Sequence, residues 1–194
     1  MNTQQDYETI LRPLLSEKRL YHSICVAKAA VELARRWGAD ENKAYTAGML
    51  HDIMKDTPRE KQLKYMQEFG IILSDIQKKT PKIWHQMCGA AYLEHRLGIQ
   101  DRDILDAVRY HTTGRAGMSL LEKVIFTADY ISDDRDYDGV EELREAAFRS
   151  LEEAMLIGLS FTVEDLASQK LPIASDTFMA YNECCLVQSQ PQQG

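Results

Sequence analysis

The sequence predicts an all-α protein, a compact multi-helix bundle, on three observations. Apolar residues recur at the 3.6-residue helical period, as in Val26, Ala29, Ala30, Leu33 and Trp37. Only 10 Gly and 5 Pro interrupt 194 residues. No stretch alternates apolar and polar residues as a half-buried strand does. Hydrophobic residues make up 44% of the chain, enough for a globular core. No linker or internal repeat divides it. Residues 1–187 therefore read as a single domain, and 188–194 (QSQPQQG) as a disordered tail.

The elements follow in order. Gly38 closes the first long stripe. A second helix begins near Asp40 and places Ala44, Ala47, Gly48 and His51 on one face. Pro58 opens a third, which ends near Gly70. Helices are expected from about His85 to Leu97, stopped by Gly98, and from about Asp101 to His111. Ser119-Leu-Leu-Glu122 is a capping-box pattern that starts an apolar helix through Val124, Ile125, Phe126, Ala128 and Ile131. One acidic helix is expected from about Asp138 to Leu156, and a short one capped by Thr162 through Leu166. Pro172 breaks the chain before a last helix from about Asp176 to Val187.

Charge and cysteines narrow the partners. A net charge of -7 disfavours nucleic acid and anionic membranes, which need a basic surface. It leaves room for a small anionic ligand, because a metal or a few basic side chains invert the field inside one cleft. Cys25, Cys88, Cys184 and Cys185 form no C-x-x-C pair and read as thiols of a reducing compartment. The N-terminus has no basic stretch followed by an apolar run, and no segment approaches the roughly 18 apolar residues of a membrane span. The expected address is the cytoplasm.

An ionisable group in an apolar stripe is costly unless it is paired or binds a metal. Four residues stand out by that criterion. His22 lies one turn before Val26, and His51 follows Ala44, Ala47 and Gly48. Asp52 ends the apolar run AGMLHD, and Asp129 interrupts VIFTADYI well past the helix start. Two imidazoles and two carboxylates suit Fe, Mn, Co, Ni or Zn. His85 and His111 extend the set, whereas His95, on a solvated face, reads as structural. Lys55 lies four residues beyond His51, Arg19 three before His22, and Arg135 past Asp129; these cations are candidates for phosphate.

The order His22, His51-Asp52, His85, His111, Asp129 resembles the HD superfamily of metal-dependent phosphohydrolases. The segments RLYHSICVAKAAVELA, AGMLHDIMKD, HQMCGAAYLE, AVRYHTTGRAGMSLLEKVIFTADYISDDR and LPIASDTFMAYN are similar to its YqeK-type symmetrical bis(5′-nucleosyl)-tetraphosphatases, over about Ser16 to Asn182. The resemblance implies an HD-domain helical bundle, a divalent metal with iron foremost, and diadenosine tetraphosphate cut into two ADP. It implies metal ligation by His22, His51, Asp52 and Asp129, with Asp52, Lys55, His85 and His111 in the catalytic machinery. Arg19, Lys55, His85, His111, Thr112 and Arg135 match positions that meet the nucleotide. Pro172, Ile173, Ala174, Ser175, Asp176 and Thr177 match a segment that closes over it. A second metal on His85 and His111, bridged by Asp52, is compatible with the pattern, and association as a homodimer is left open. One departure is Ser132-Asp133-Asp134 before Arg135, where the family usually carries Glu-Pro. The rival readings are another HD phosphohydrolase acting on a nucleoside monophosphate or a signalling nucleotide, a di-iron oxygenase on the same scaffold, and a non-catalytic nucleotide-binding module.

Overall fold

Polar side chains start the helices. In the computed structural model, which describes residues 7–188, Ser16 accepts from the Arg19 amide and Asp40 from those of Asn42 and Lys43. Ser119 and Glu122 complete the expected capping box. The elements are α1 (Tyr7–Leu11), α2 (Glu17–Trp37), α3 (Glu41–Leu50), α4 (Arg59–Glu68), α5 (Asp75–Lys79), α6 (Trp84–Arg96), α7 (Arg102–Tyr110), α8 (Leu120–Ile131), α9 (Val140–Arg149), α10 (Leu151–Ser168) and α11 (Ser175–Gln188). Among the described residues there is no strand, and no helix is long and apolar enough to cross a membrane.

α2, α3 and α8 form the centre. Val26, Ala27 and Ala30 of α2 meet Ala44 and Ala47 of α3 and Val124, Ile125 and Ala128 of α8 in one buried cluster. Burying an aliphatic chain such as Leu33 or Ile125 contributes about 2 kcal/mol. The α2–α3 crossing is closer than side chains normally allow. A Cβ built on Gly48 would lie 2.7 Å from the Ala27 Cα and 3.1 Å from its nitrogen, so only glycine fits. That approach carries His51, one turn further on, to the side of His22, with ring centroids 5.3 Å apart.

α6 and α7 pack together and bring their ends to the same region, α7 also lying against α3 and α8. A second cluster of Met118, Phe126, Met155, Leu159 and Ala180 ties α10 and α11 to α8. These C-terminal helices therefore stand beside the end of α8 that carries Asp129.

The acidic helix expected from Asp138 to Leu156 is two helices. Ser150 turns extended (φ -158°, ψ 122°), ends α9, and caps α10 by accepting from the Glu153 amide. Thr162 caps nothing; it lies inside α10, and its hydroxyl meets that of Tyr130 at 2.5 Å. α1, α5 and a 3-10 turn over Pro81–Ile83 are additions to the expected order. The last helix starts at Ser175, one residue before the expected Asp176. The tail expected to be disordered falls, beyond Gln188, outside the described residues.

Candidate metal centre

Six histidine and aspartate side chains from separate elements converge in the core. His22 is on α2, His51 and Asp52 directly follow α3, His85 is the second residue of α6, His111 follows α7, and Asp129 is near the end of α8. His22, His51, Asp52, His85 and His111 are each at most 3% exposed. Uncompensated, such a polar cluster would be strongly destabilising.

The contacts divide into two halves around Asp52. Its Oδ2 lies 3.6 Å from His51 Nε2 and accepts from Arg19 Nη1 at 2.8 Å. Its Oδ1 faces His85 Nε2 at 3.2 Å and His111 Nε2 at 3.4 Å. On the other side Asp129 Oδ1 lies 3.0 Å from His22 Nε2 and 3.9 Å from His51 Nε2, and accepts from the Arg135 guanidinium.

Backbone carbonyls fix the tautomers. His51 Nδ1 donates to the Gly48 carbonyl at 2.7 Å, and His111 Nδ1 to that of Val108 at 2.8 Å. Each ring then turns an Nε2 lone pair toward the cluster. His22 Nδ1 is held at 2.8 Å by Asp134, whose other oxygen accepts from Ser132. Its Nε2 points at Asp129. A carboxylate behind a histidine is the usual partner of a metal-ligating imidazole.

The electrostatics favour cation binding. Burial pushes His51 down to about 3 and His85 to about 4, so both rings are neutral ligands near pH 7. Burial alone would raise the Asp52 carboxyl. The surrounding His51, His111 and His85 rings and the Lys55 ammonium outweigh it and hold Asp52 well below the usual carboxylate range. Asp129 is likewise depressed against burial, by His22 and Arg135.

His51 Nε2 and Asp52 Oδ1 are buried without a hydrogen-bond partner. An orphaned imidazole nitrogen and an orphaned carboxylate oxygen in one buried cluster suit a divalent cation. Two overlapping sets bring ligand atoms within 4.8 Å of one another: His22, His51 and Asp129, and His51, Asp52 and His111.

Three cavities adjoin at Thr112, which lines all of them, and the first two reach residues of the centre. The first, about 360 Å³, reaches Asp129, His111, Arg135, Tyr137 and Phe161. The second, about 500 Å³, is basic, with Lys55, Arg59 and Lys82. The third, about 290 Å³, is mostly apolar, with Ile83, Leu166, Leu171 and Pro172 among its walls.

The sequence-derived residues fall on this site unevenly. The α-helix stops at Leu50, so Lys55 is not on a continuous turn with His51. Tight turns from Leu50 to Thr57 still bring its ammonium 3.2 Å from His85 Nε2 and 3.7 Å from Asp52 Oδ1. Thr112 Oγ1 is 3.2 Å from His85 Nε2. Arg135 lines the first cavity, whereas Arg19 reaches the centre through Asp52. Pro172, Ala174 and Thr177 wall the third cavity; Ile173, Ser175 and Asp176 do not. Asp134, Gln86, Tyr137 and Phe161 escaped sequence reasoning. Gln86 is buried and pins the turn after His111, accepting from the amides of Thr112 at 3.0 Å and Thr113 at 3.3 Å.

Comparison with known proteins agrees with this arrangement. Residues 19–134 match the HD domain. The chain is 42% identical over 170 residues to a symmetrical bis(5′-nucleosyl)-tetraphosphatase of Bacillus subtilis, covering 87% of this chain and 90% of that one. It is 39% identical over 179 residues to the protein of the same name from Halalkalibacterium halodurans, covering 92% and 95%. A crystal structure from Clostridium acetobutylicum, of a "predicted HD superfamily hydrolase involved in NAD metabolism", superposes with a TM-score of 0.92 at 35% identity, over 96% of this chain and 99% of that one. With its helices, its His-Asp pair and its relatives in agreement, the chain belongs to the HD-domain family, in the branch of the symmetrical bis(5′-nucleosyl)-tetraphosphatases.

Proposed function

We infer that this protein hydrolyses dinucleoside polyphosphates and cuts diadenosine tetraphosphate symmetrically into two ADP. The observation that carries the reading is the pair of orphaned atoms, His51 Nε2 and Asp52 Oδ1, behind Lys55 and His85, which line a basic cavity. Two relatives at 39% and 42% identity bear the name of that activity.

We assign the metal to His22, His51, Asp52 and Asp129. A divalent ion supplies an acidified water and cover for phosphoryl charge at neutral pH. Iron is the first to test, with Mn, Co, Ni and Zn as alternatives the donor set also suits. A second ion, if bound, would be held by His85 and His111 with Asp52, whose Oδ1 lies 3.2 and 3.4 Å from their Nε2 atoms.

The chain's own groups position the polyphosphate. Lys55, with Arg59 and Lys82 beyond it, neutralises phosphates in the middle cavity. Arg135 holds Asp129 with one side of its fork and lines the first cavity. His85 and His111 present Nε2 atoms beside Thr112, within reach of a phosphoryl oxygen or a proton on attacking water. One water adds across one central phosphoanhydride bond; its oxygen joins phosphorus, and the departing ADP takes the bridging oxygen. The cysteine spacing, without a C-x-x-C pair, supports a reducing, cytoplasmic address. The net charge of -7 supports a small nucleotide, and not nucleic acid, as the partner.

The test is to load the purified chain anaerobically with Fe(II), and separately with Mn(II) or Co(II), and to resolve the products of diadenosine tetraphosphate by anion exchange. ADP as the sole product is expected. ATP with AMP would overturn the regiochemistry. No turnover with metal bound would overturn the activity, and oxygen uptake by the reduced protein would favour an oxygenase.

A further inference from the structure

We propose that Tyr137 and Phe161 form a stacking platform for one nucleobase of the substrate, so that its two nucleosides occupy opposite ends of the cleft. The inference rests on the dinucleotide reading above and adds the site of the second base.

The cleft has the sequence of environments that such a ligand requires. Its middle is cationic and its far end apolar, walled by Ile83, Leu171 and Pro172. The end nearest the metal centre is rimmed by two aromatic rings. A symmetrical ligand with two bases and a polyanion between them needs an apolar seat at each end of a basic channel. The third cavity provides one seat and the aromatic rim the other.

The rim is preset. Phe161 is 54% exposed, yet its ring stacks on Tyr137 with centroids 5.9 Å apart and planes 28° apart. Tyr137 is fixed in turn by donating its hydroxyl to the Tyr130 carbonyl at 2.9 Å. Scattered exposed aromatics are ordinary; one held by a second ring over a cavity that reaches the metal centre is not. Stacking on a base is tolerant of base identity, because every base has a π-face. Both rings lie outside residues 19–134 that match the HD domain. The platform is thus an addition to the hydrolytic core, placed to select ligands that carry a second nucleoside.

The experiment compares diadenosine tetraphosphate with adenosine 5′-tetraphosphate, which lacks one nucleoside, on the metal-loaded full chain. Phe161→Ala should raise KM for the dinucleotide about tenfold, with kcat less affected, and should reduce the preference over the mononucleotide by the same factor. Phe161→Leu should behave like the alanine variant, and Phe161→Tyr like the parent, which separates stacking from simple apolar cover. An unchanged preference in Phe161→Ala, or full function in Phe161→Leu, would overturn the platform while leaving the hydrolase intact. If the parent cleaves neither substrate, the activity reading fails and calorimetry decides the platform. The parent should then bind two ADP and Phe161→Ala one; equal stoichiometry would overturn it.

Discussion

Asp134 Oδ2 lies 2.8 Å from His22 Nδ1 and fixes which face of that ring turns to the metal centre. The contact joins residues 112 positions apart in sequence. It also sits in the Ser132-Asp133-Asp134 stretch just before Arg135. Here Ser132 donates to Asp134 Oδ1 at 2.7 Å and sets the carboxylate in place. Removing the carboxylate behind a metal-bound histidine typically costs 10- to 100-fold in metal affinity, by rough precedent. Asp134→Ala should show a loss of that size in chelator competition. Asp134→Asn, which keeps an acceptor oxygen, should fall between. Parent-like affinity in the alanine variant would remove Asp134 from the site.

Metal binding and phosphate binding separate in two variants. Asp129→Ala deletes an assigned ligand and leaves Arg135 without its carboxylate partner, so bound metal and activity should both be lost. Lys55→Ala deletes a cation 3.7 Å from Asp52 Oδ1 that lines two cavities. Hydrogen bonds to charged groups contribute about 1.5–3 kcal/mol, so KM should rise roughly 10- to 100-fold at normal metal content. Metal analysis beside steady-state kinetics checks both. Loss of metal from Lys55→Ala would show its role to be misassigned.

Gly48 should be intolerant of even a methyl group. Its Cβ would meet the Ala27 backbone at 2.7 Å, and backbone cannot swing aside as a side chain can. Gly48→Ala should lower stability by about 1–3 kcal/mol despite the better helix propensity of alanine. It should also weaken metal binding, because His51 Nδ1 bonds to the Gly48 carbonyl. Gly89→Ala is the control, since its nearest contact would be an ordinary 3.5 Å to Val108. Denaturant melts of the two variants give the comparison. Equal stability would mean that the α2–α3 crossing can relax.

The fold and the site were legible in the sequence to different depths. Helical periodicity and the caps at Asp40 and Ser119 exposed most of the bundle, because these signals act over one or two turns. The break at Ser150 was missed although its signal was present. Ser150-Leu151-Glu152-Glu153 repeats the pattern of Ser119 to Glu122, but without Gly or Pro it hides inside a run of good helix formers. The histidines and aspartates stood out because a polar group in an apolar stripe contradicts its surroundings. Asp134 did not, because it lies in an acidic stretch that reads as solvated surface, and Phe161 did not, because it is one apolar residue among many in the run AMLIGLSFTV. Only the packing of α10 and the loop after α8 against the metal centre reveals them.

Acid should destabilise the metal-free protein before any carboxylate titrates. Burial holds His51 at about 3 and His85 at about 4 when folded, against an ordinary 6.5 when unfolded. Between those values the unfolded chain takes up protons that the folded chain refuses, so stability falls as pH falls. Each histidine contributes its full effect above 6.5 and loses about 1.4 kcal/mol per pH unit below it. Going from pH 7.5 to 5.5 should cost the chelator-treated protein about 3 kcal/mol from the pair. Asp52 and Asp129, both held low, extend the loss in the same direction below their ordinary 3.8. Urea melts across this range measure the slope, and His85→Gln should reduce it by about half. A flat profile between pH 7.5 and 5.5 would mean that the two rings accept protons in the fold, and would count against their service as neutral metal ligands.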